Sequence, residues 1–250
     1  MKIAQAFAVL ALWLLSCASV SAAPLCKDVV FEGNSFGICD IDLRQVRISL
    51  HLRDESGAPY MFPSRLRAAL EAQGQQVLAI MNAGMFEADL SPVGLYLERG
   101  RLLKAANRRN GPGNFHLKPN GIFFFSGGRA GVSETGAYDT HRRWPEESGT
   151  QSGPMLVING RLHPRFDQDG ESRKTRNGVG VRQDGTVVFA VSRSGVSFGT
   201  FARLFRDQMN TPNALFLDGS VSVLSGEGIG TVGGFPPMPI GPMLAVTRGR

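Results

Sequence analysis

The sequence has 250 residues, 42% of them hydrophobic, with 27 Lys plus Arg against 21 Asp plus Glu and three cysteines. A chain of this length can bury a substantial core, and the absence of any Cys-x-x-Cys or Cys/His cluster argues against a structural zinc. The basic excess permits an anionic partner without specifying one.

In chain order, Met1-Lys2, the apolar run "AFAVLALWLL" and the small residues "SCASVSAAP" have the layout of an export signal. The run is too short to span a bilayer, so residues 1–23 are expected to be removed near Ala22 or Ala23, leaving no membrane span. Cys17 in "LLSC" only faintly matches a lipoprotein cleavage box, and the later small-residue site fits better. Export to the periplasm or medium, together with few aromatic clusters, argues against a nucleic-acid partner. It also makes a disulfide the natural state of the remaining pair, Cys26 and Cys39, contributing about 3 kcal/mol through loop closure.

"VRISLHL" alternates at Val46, Ile48, Leu50 and Leu52, as a half-buried strand does. Ser64 is placed to cap a helix with Leu66, Ala69, Leu70 and Gln73 on one face and Gly74 as its stop. Continuous apolar runs follow: "VLAIM", "VGLYL", "IFFF", "MLVI", "VVFAV", "ALFL" and "MLAV". Such runs predict strands covered on both faces. A second helix begins near Ser197 with Phe198, Phe201, Ala202, Phe205 and Met209 along one stripe. "GVSFG" around Ser197 matches a nucleophile elbow, but all four histidines lie upstream, against the elbow's order of Ser, acid, His. Ser197 is therefore read as a helix cap. "GIGTVG" matches GxGxxG, yet the following "GFPPMPIGP" cannot open a helix, and the stretch is read as a loop.

Each helix leads through a turn into a buried strand, and "GPMLVINGR" at 153 is echoed by "GPMLAVTRGR" at 241. These echoes predict two related helix-strand units whose strand ends lie side by side. The expected fold is a single α+β domain over residues 24–250, a mixed sheet covered by two or three helices, with a doubly wound α/β sheet as the runner-up.

Polar residues at buried strand ends gather on one rim of a sheet. Here these are Asn82, Ser152, Asp218 and the pair Arg176-Asn177, each beside a glycine: Gly84, Gly153, Gly178 and Gly219. Taken singly, each is the chemistry of a turn or a cap. Together, the blocks "NAGMF", "SPVGLYLERG", "GNFHLKPNG", "TQSGPMLVINGRLHP", "TRNGVGV" and "NALFLDGSVSVL" resemble those of the phosphodiester glycosidase family, in order, and residues 24–74 resemble the N-terminal part of its bacterial secreted branch. Where many relatives carry Asp-Gly-Gly-Gly-Ser, this chain has Asp218-Gly219-Ser220-Val221-Ser222, and Asn-Gly-Gly-Phe-Phe is replaced by Asn82-Ala83-Gly84-Met85-Phe86.

The resemblance implies hydrolysis of the anomeric bond between a sugar and a phosphodiester. Such a site needs a carboxylate near the anomeric carbon and cations on the phosphate. Asp218 is the first choice for the carboxylate, Arg176 for the phosphate clamp and Asn82 for a sugar hydroxyl. Backbone groups around Ser152-Gly153 and Gly219-Ser220, with Gly84 and Asn177, complete the binding set. Glu87, Asp89 and Glu134 compete for a second carboxylate. No cofactor is expected to be required, although Asp218, Asn82 and nearby carbonyls are suited to a hard divalent cation such as calcium. The alternative function is a binding module without catalysis for anionic or phosphorylated envelope glycans; a purely structural envelope protein is the third reading.

Overall fold

The computed structural model describes residues 24–138, 148–167, 169–219, 221–234 and 236–249. The expected export signal, with Cys17, and the candidate Ser220 lie outside the described residues.

The strands run in order as β1 (Cys26–Phe31), β2 (Asn34–Ile41), β3 (Arg47–His51), β4 (Gln76–Asn82), β5 (Tyr96–Glu98) and β6 (Arg101–Lys104). They continue as β7 (Gly121–Ser126), β8 (Arg129–Glu134), β9 (Ser148–Ser152), β10 (Met155–Ile158), β11 (Arg161–Leu162) and β12 (Asn177–Val181). The last are β13 (Val187–Ser192), β14 (Asn213–Asp218), β15 (Val223–Gly226), β16 (Gly230–Gly233) and β17 (Met243–Arg248). Helix α1 is Pro63–Ala72 and α2 is Phe198–Arg203, the latter continuing as a π-helical turn over Leu204–Gln208.

These strands form three sheets: β1-β2-β13-β12-β14-β10-β11, β16-β15-β4-β17-β3 and β6-β5-β9-β7-β8. Every pairing of named strands is antiparallel. With 44% strand and 11% helix the fold is mostly β, so the expected α+β mixed sheet and its α/β runner-up are both wrong. The reason lies in what covers the apolar runs. One face of each sheet meets the other sheets in a shared core: Ile41, Phe189, Leu215 and Leu217 from the first, Met81, Leu224 and Leu244 from the second, Phe123 and Phe125 from the third. Helices take only the outer faces, α2 over Phe36, Ala190 and Phe216 and α1 over Ile80 and Ala245. Continuous runs therefore do mark strands buried on both sides, but their cover is mainly other strands.

Local chemistry explains both helix starts. Pro63, with φ preset for a first helical position, fixes the cap at Phe62 and puts Ser64 inside the first turn, so the expected Ser64 cap is not made. Gly74 does stop the helix, at φ +78°. Ser197 caps α2 by accepting from the Thr200 amide at 3.0 Å. "GIGTVG" is not a loop: its last four residues are β16, which closes a hairpin on β15.

The two echoes share one construction. α1 leads into β4, which pairs with β17; α2 and its π-turn lead into β14, which pairs with β10. The Pro242 carbonyl accepts from Ala83 N at 2.8 Å and the Pro154 carbonyl from Phe216 N at 3.1 Å. Cys26 and Cys39 stand opposite each other in the β1-β2 hairpin and are joined in a disulfide. It packs on Gly226 of β15, where an added Cβ would lie 2.5 Å from the Cys26 sulfur.

Candidate functional site

The ends of β4, β9, β12 and β14 converge where the three sheets meet. Asn177, the first residue of β12, joins them. Its Nδ2 donates to the side-chain oxygen of Asn82 at 2.8 Å and to the Asn82 carbonyl at 2.9 Å. Its Oδ1 accepts from the Asp218 amide at 2.9 Å and from the Ser222 hydroxyl at 3.4 Å. Asn82 also accepts from Val223 N at 2.9 Å. Four of the expected residues, Asn82, Asn177, Asp218 and Ser152, are thus brought to one place. The Ser152 hydroxyl donates to the Leu217 carbonyl at 2.6 Å, immediately before Asp218.

Asp218 closes β14 and is only 6% exposed. One of its oxygens accepts from Gly219 N at 2.6 Å, and its carbonyl accepts from the Ser222 hydroxyl at 2.8 Å. The second bond pins the strand end, and the first orients the carboxylate.

Arg176 is fully buried. Its Nε donates to the Val196 carbonyl at 2.9 Å and Nη2 to the Ser172 carbonyl at 2.8 Å, while its amide donates to the Ser192 hydroxyl at 2.9 Å. The guanidinium lies 3.6 Å from the centre of the Phe198 ring and 5.5 Å from that of Phe216. Phe198 in turn stacks on Phe166 at 4.9 Å, and Phe166 on His163 at 4.6 Å. Burial lowers the Arg176 pKa to about 10, which still leaves it cationic at neutral pH.

Among the described residues two buried donors at this site lack partners, Asn82 Nδ2 and Arg176 Nη1. An unmade bond from a buried donor costs on the order of 1–3 kcal/mol, and a ligand acceptor would recover it. Gly219 stands next to Nη1: an added Cβ there would lie 3.8 Å from it and 2.9 Å from Phe216.

Gly84 and Gly153, expected in the ligand cradle, are closely packed against backbone. A Cβ on Gly84 would meet the Gln151 carbonyl at 2.3 Å, and one on Gly153 the Phe115 carbonyl at 2.8 Å. Both are glycine because backbone from another strand or loop occupies the space. The competitors for a second carboxylate do not join the network: Glu87 and Asp89 sit in an exposed turn and Glu134 at the exposed end of β8. As for a cation, no group of three or more His, Cys, Asp or Glu side chains able to hold a metal is found among the described residues, and the two unsatisfied groups are donors, which suit an anion.

Sequence reasoning missed Phe198, Ser192 and Ser222. Phe198 was visible only as a member of the helix stripe, because a ring facing a distant arginine leaves no periodic signal.

The profile of the phosphodiester glycosidase family matches residues 75–226, a stretch that contains every residue of this network. The chain belongs to that family. Among its relatives, the uncharacterised protein YigE of Escherichia coli K12 is 34% identical over 176 residues, which is 70% of this chain and 68% of YigE. In fold, this phosphodiester glycosidase family member is similar to the catalytic domain of zebrafish N-acetylglucosamine-1-phosphodiester alpha-N-acetylglucosaminidase, solved in a form auto-inhibited by its pro-peptide. That likeness has a TM-score of 0.58 at 16% identity, over 90% of this chain and 84% of that one. A hypothetical protein from Synechocystis gives a TM-score of 0.54 at 13% identity, over 89% of this chain and 61% of that one. At these identities the two structures speak for the fold alone.

Proposed function

We propose that this family member is an exported hydrolase that cleaves the anomeric carbon–oxygen bond between a sugar and a phosphodiester. Water adds to the anomeric carbon, the bonding pair leaves on the phosphate oxygen, and the products are a free sugar and a phosphomonoester. The observation that carries this reading is the pairing of a fixed, buried carboxylate, Asp218, with a buried guanidinium whose Nη1 has no partner beside Gly219.

The division of labour follows from the chemistry. A phosphate leaving group has a second pKa near 6 and needs little help from a general acid. Asp218 acts at the anomeric carbon as nucleophile, base or stabiliser of positive charge. Arg176 Nη1 takes a phosphate oxygen, with its other two nitrogens tied to carbonyls so that the plane is set beforehand. Asn82 Nδ2 takes a sugar hydroxyl, Gly219 allows close approach, and Asn177, Ser152 and Ser222 hold the strand ends. The reading uses no divalent cation. Among the described residues no helix is long and apolar enough to cross a membrane; export rests on the signal-like residues 1–23.

The test is turnover of a small panel of sugar-1-phosphodiesters in oxygen-18 water. The reading expects the label in the released sugar; label in the phosphate would mean attack at phosphorus instead. Binding of these compounds without any turnover would move the chain to the class of binding modules.

A further inference from the structure

The third sheet carries a charge that the proposed reaction does not use. Residues 99–133 contain seven Lys or Arg and no Asp or Glu. Elsewhere arginines meet carboxylates, as in Arg182–Asp40 at 2.7 Å, Arg193–Asp28 at 2.7 Å and Arg203–Glu32 at 2.7 Å. In this stretch, Lys104 of β6 and Lys118 of the β6-β7 connection instead donate to the backbone carbonyls of Pro92 and Arg108, and among the described residues neither they nor Arg109 meets a carboxylate within ion-pair distance. Backbone carbonyls hold Lys104 and Lys118 in place without neutralising them.

Three of the cations share a groove. Lys104, Arg108 and Arg109 line an open hollow of about 590 Å³ together with Asn107 and a single acid, Glu87. Its wall is built rather than loose. Asn107 donates its amide to Gln151 Oε1 at 2.8 Å and accepts the Arg109 amide at 3.1 Å, while Gln151 Nε2 returns a bond to the Asn107 carbonyl at 2.8 Å. Gln151 directly precedes Ser152, whose hydroxyl bonds the residue before Asp218. Across the other side, Lys104 bonds Pro92, Val93 N donates to the Met85 carbonyl at 2.9 Å, and Met85 N donates to Ser152 at 3.4 Å. Residues 85–93 thus touch both places, the groove through Glu87 and Val93 and the candidate site through Met85.

We propose that this groove is a second anion seat that holds a further phosphate of the same substrate, so that the preferred substrate class is a glycan chain with repeating sugar-phosphate linkages rather than a lone sugar phosphodiester. This rests on the reading of Asp218 and Arg176 above. A guanidinium and an ammonium held on a rigid wall give a phosphate charge-assisted bonds, each sufficient for about a tenfold gain in affinity.

The test separates binding from turnover. Affinity of the purified protein for an oligomer of repeating sugar-1-phosphate units and for a small phosphodiester with one anionic group is measured in wild type and in Arg109→Glu, an exposed position outside the candidate site. Turnover of both compounds is followed in parallel. The inference expects wild type to bind the oligomer at least about tenfold more tightly at low salt, and Arg109→Glu to lose that advantage while treating the small compound as wild type does. Equal affinity of wild type for both, or an advantage untouched by Arg109→Glu, overturns the second seat and leaves the proposed reaction standing. Absence of turnover with the oligomer advantage intact and sensitive to Arg109→Glu supports the seat and defeats the reaction. Inorganic phosphate is titrated alone: if it binds the groove as tightly as the oligomer, the seat is for a free anion and the substrate assignment falls.

Discussion

The Arg176 guanidinium lies 3.6 Å from the centre of the Phe198 ring, buried, with two nitrogens bonded to carbonyls and Nη1 unpartnered. The ring fixes the plane in which the open nitrogen is offered, and a desolvated cation–π contact is worth about 2 kcal/mol. Phe198→Leu is expected to lower kcat/KM on a sugar-1-phosphodiester by about tenfold, mostly through KM, whereas Phe198→Tyr retains most of the activity. Steady-state kinetics at matched folded fraction measures the split.

Two glycines beside the site are expected to fail for different reasons. Gly84→Ala would press a methyl group onto the Gln151 carbonyl, 2.3 Å away, which is backbone and cannot turn aside. Overpacking of this kind costs about 1–3 kcal/mol, to be seen as a lower urea midpoint. Gly219→Ala meets the end of the Phe216 ring at 2.9 Å and sits near Arg176 Nη1. Its stability loss is expected to be smaller, and its loss of substrate affinity larger, than that of Gly84→Ala.

His51 is buried, bonded to Ser49 at 2.8 Å and set edge-on to Tyr60. Burial, with Arg99 adding to it, lowers its pKa to about 4. A histidine kept neutral in the folded state contributes stability that is full above the unfolded pKa of about 6.5 and is lost as pH falls towards 4, at about 1.4 kcal/mol per unit and about 3 kcal/mol in all. Burial raises the Glu98 pKa and works with the opposite sign, so the difference between wild type and His51→Gln isolates the histidine. Urea midpoints from pH 7 to 4 are expected to fall less steeply in His51→Gln.

Replacing Cys26 and Cys39 with serine removes a cross-link within the β1-β2 hairpin, at the place where it packs on Gly226 of β15. The closed loop is short, with a sequence separation of 13, and its loss is expected to cost about 3 kcal/mol. Unfolding of wild type with and without reductant should show the same decrement, and the double variant should be insensitive to reductant.

Much of the site was legible in the sequence because its residues stand at the ends of apolar runs, and a run that stops in Asn or Asp-Gly advertises where a buried strand meets solvent. Asn82 and Asp218 were found this way, Ser152 and Asn177 from their places just before such strands, and the four do share one network. The sheet architecture was not legible. A strand such as β14, apolar at Ala214, Leu215, Phe216 and Leu217, looks the same whether helices or other strands cover it, and the antiparallel partners, β12 and β10, are set by contacts far away in the chain. The backbone packing at Gly84 and Gly153 was hidden for a related reason: a glycine that admits a ligand and one that admits another backbone carry the same letter.

On the proposed function, β14 exists to aim a catalytic carboxylate. The most direct measurement is release of phosphomonoester from sugar-1-phosphodiesters by wild type and Asp218→Asn, with circular dichroism showing both equally folded. The variant is expected to bind substrate within a few-fold of wild type and to lose about a thousandfold or more in turnover. Turnover retained by Asp218→Asn would contradict it and return Asp218 to the role of a turn residue.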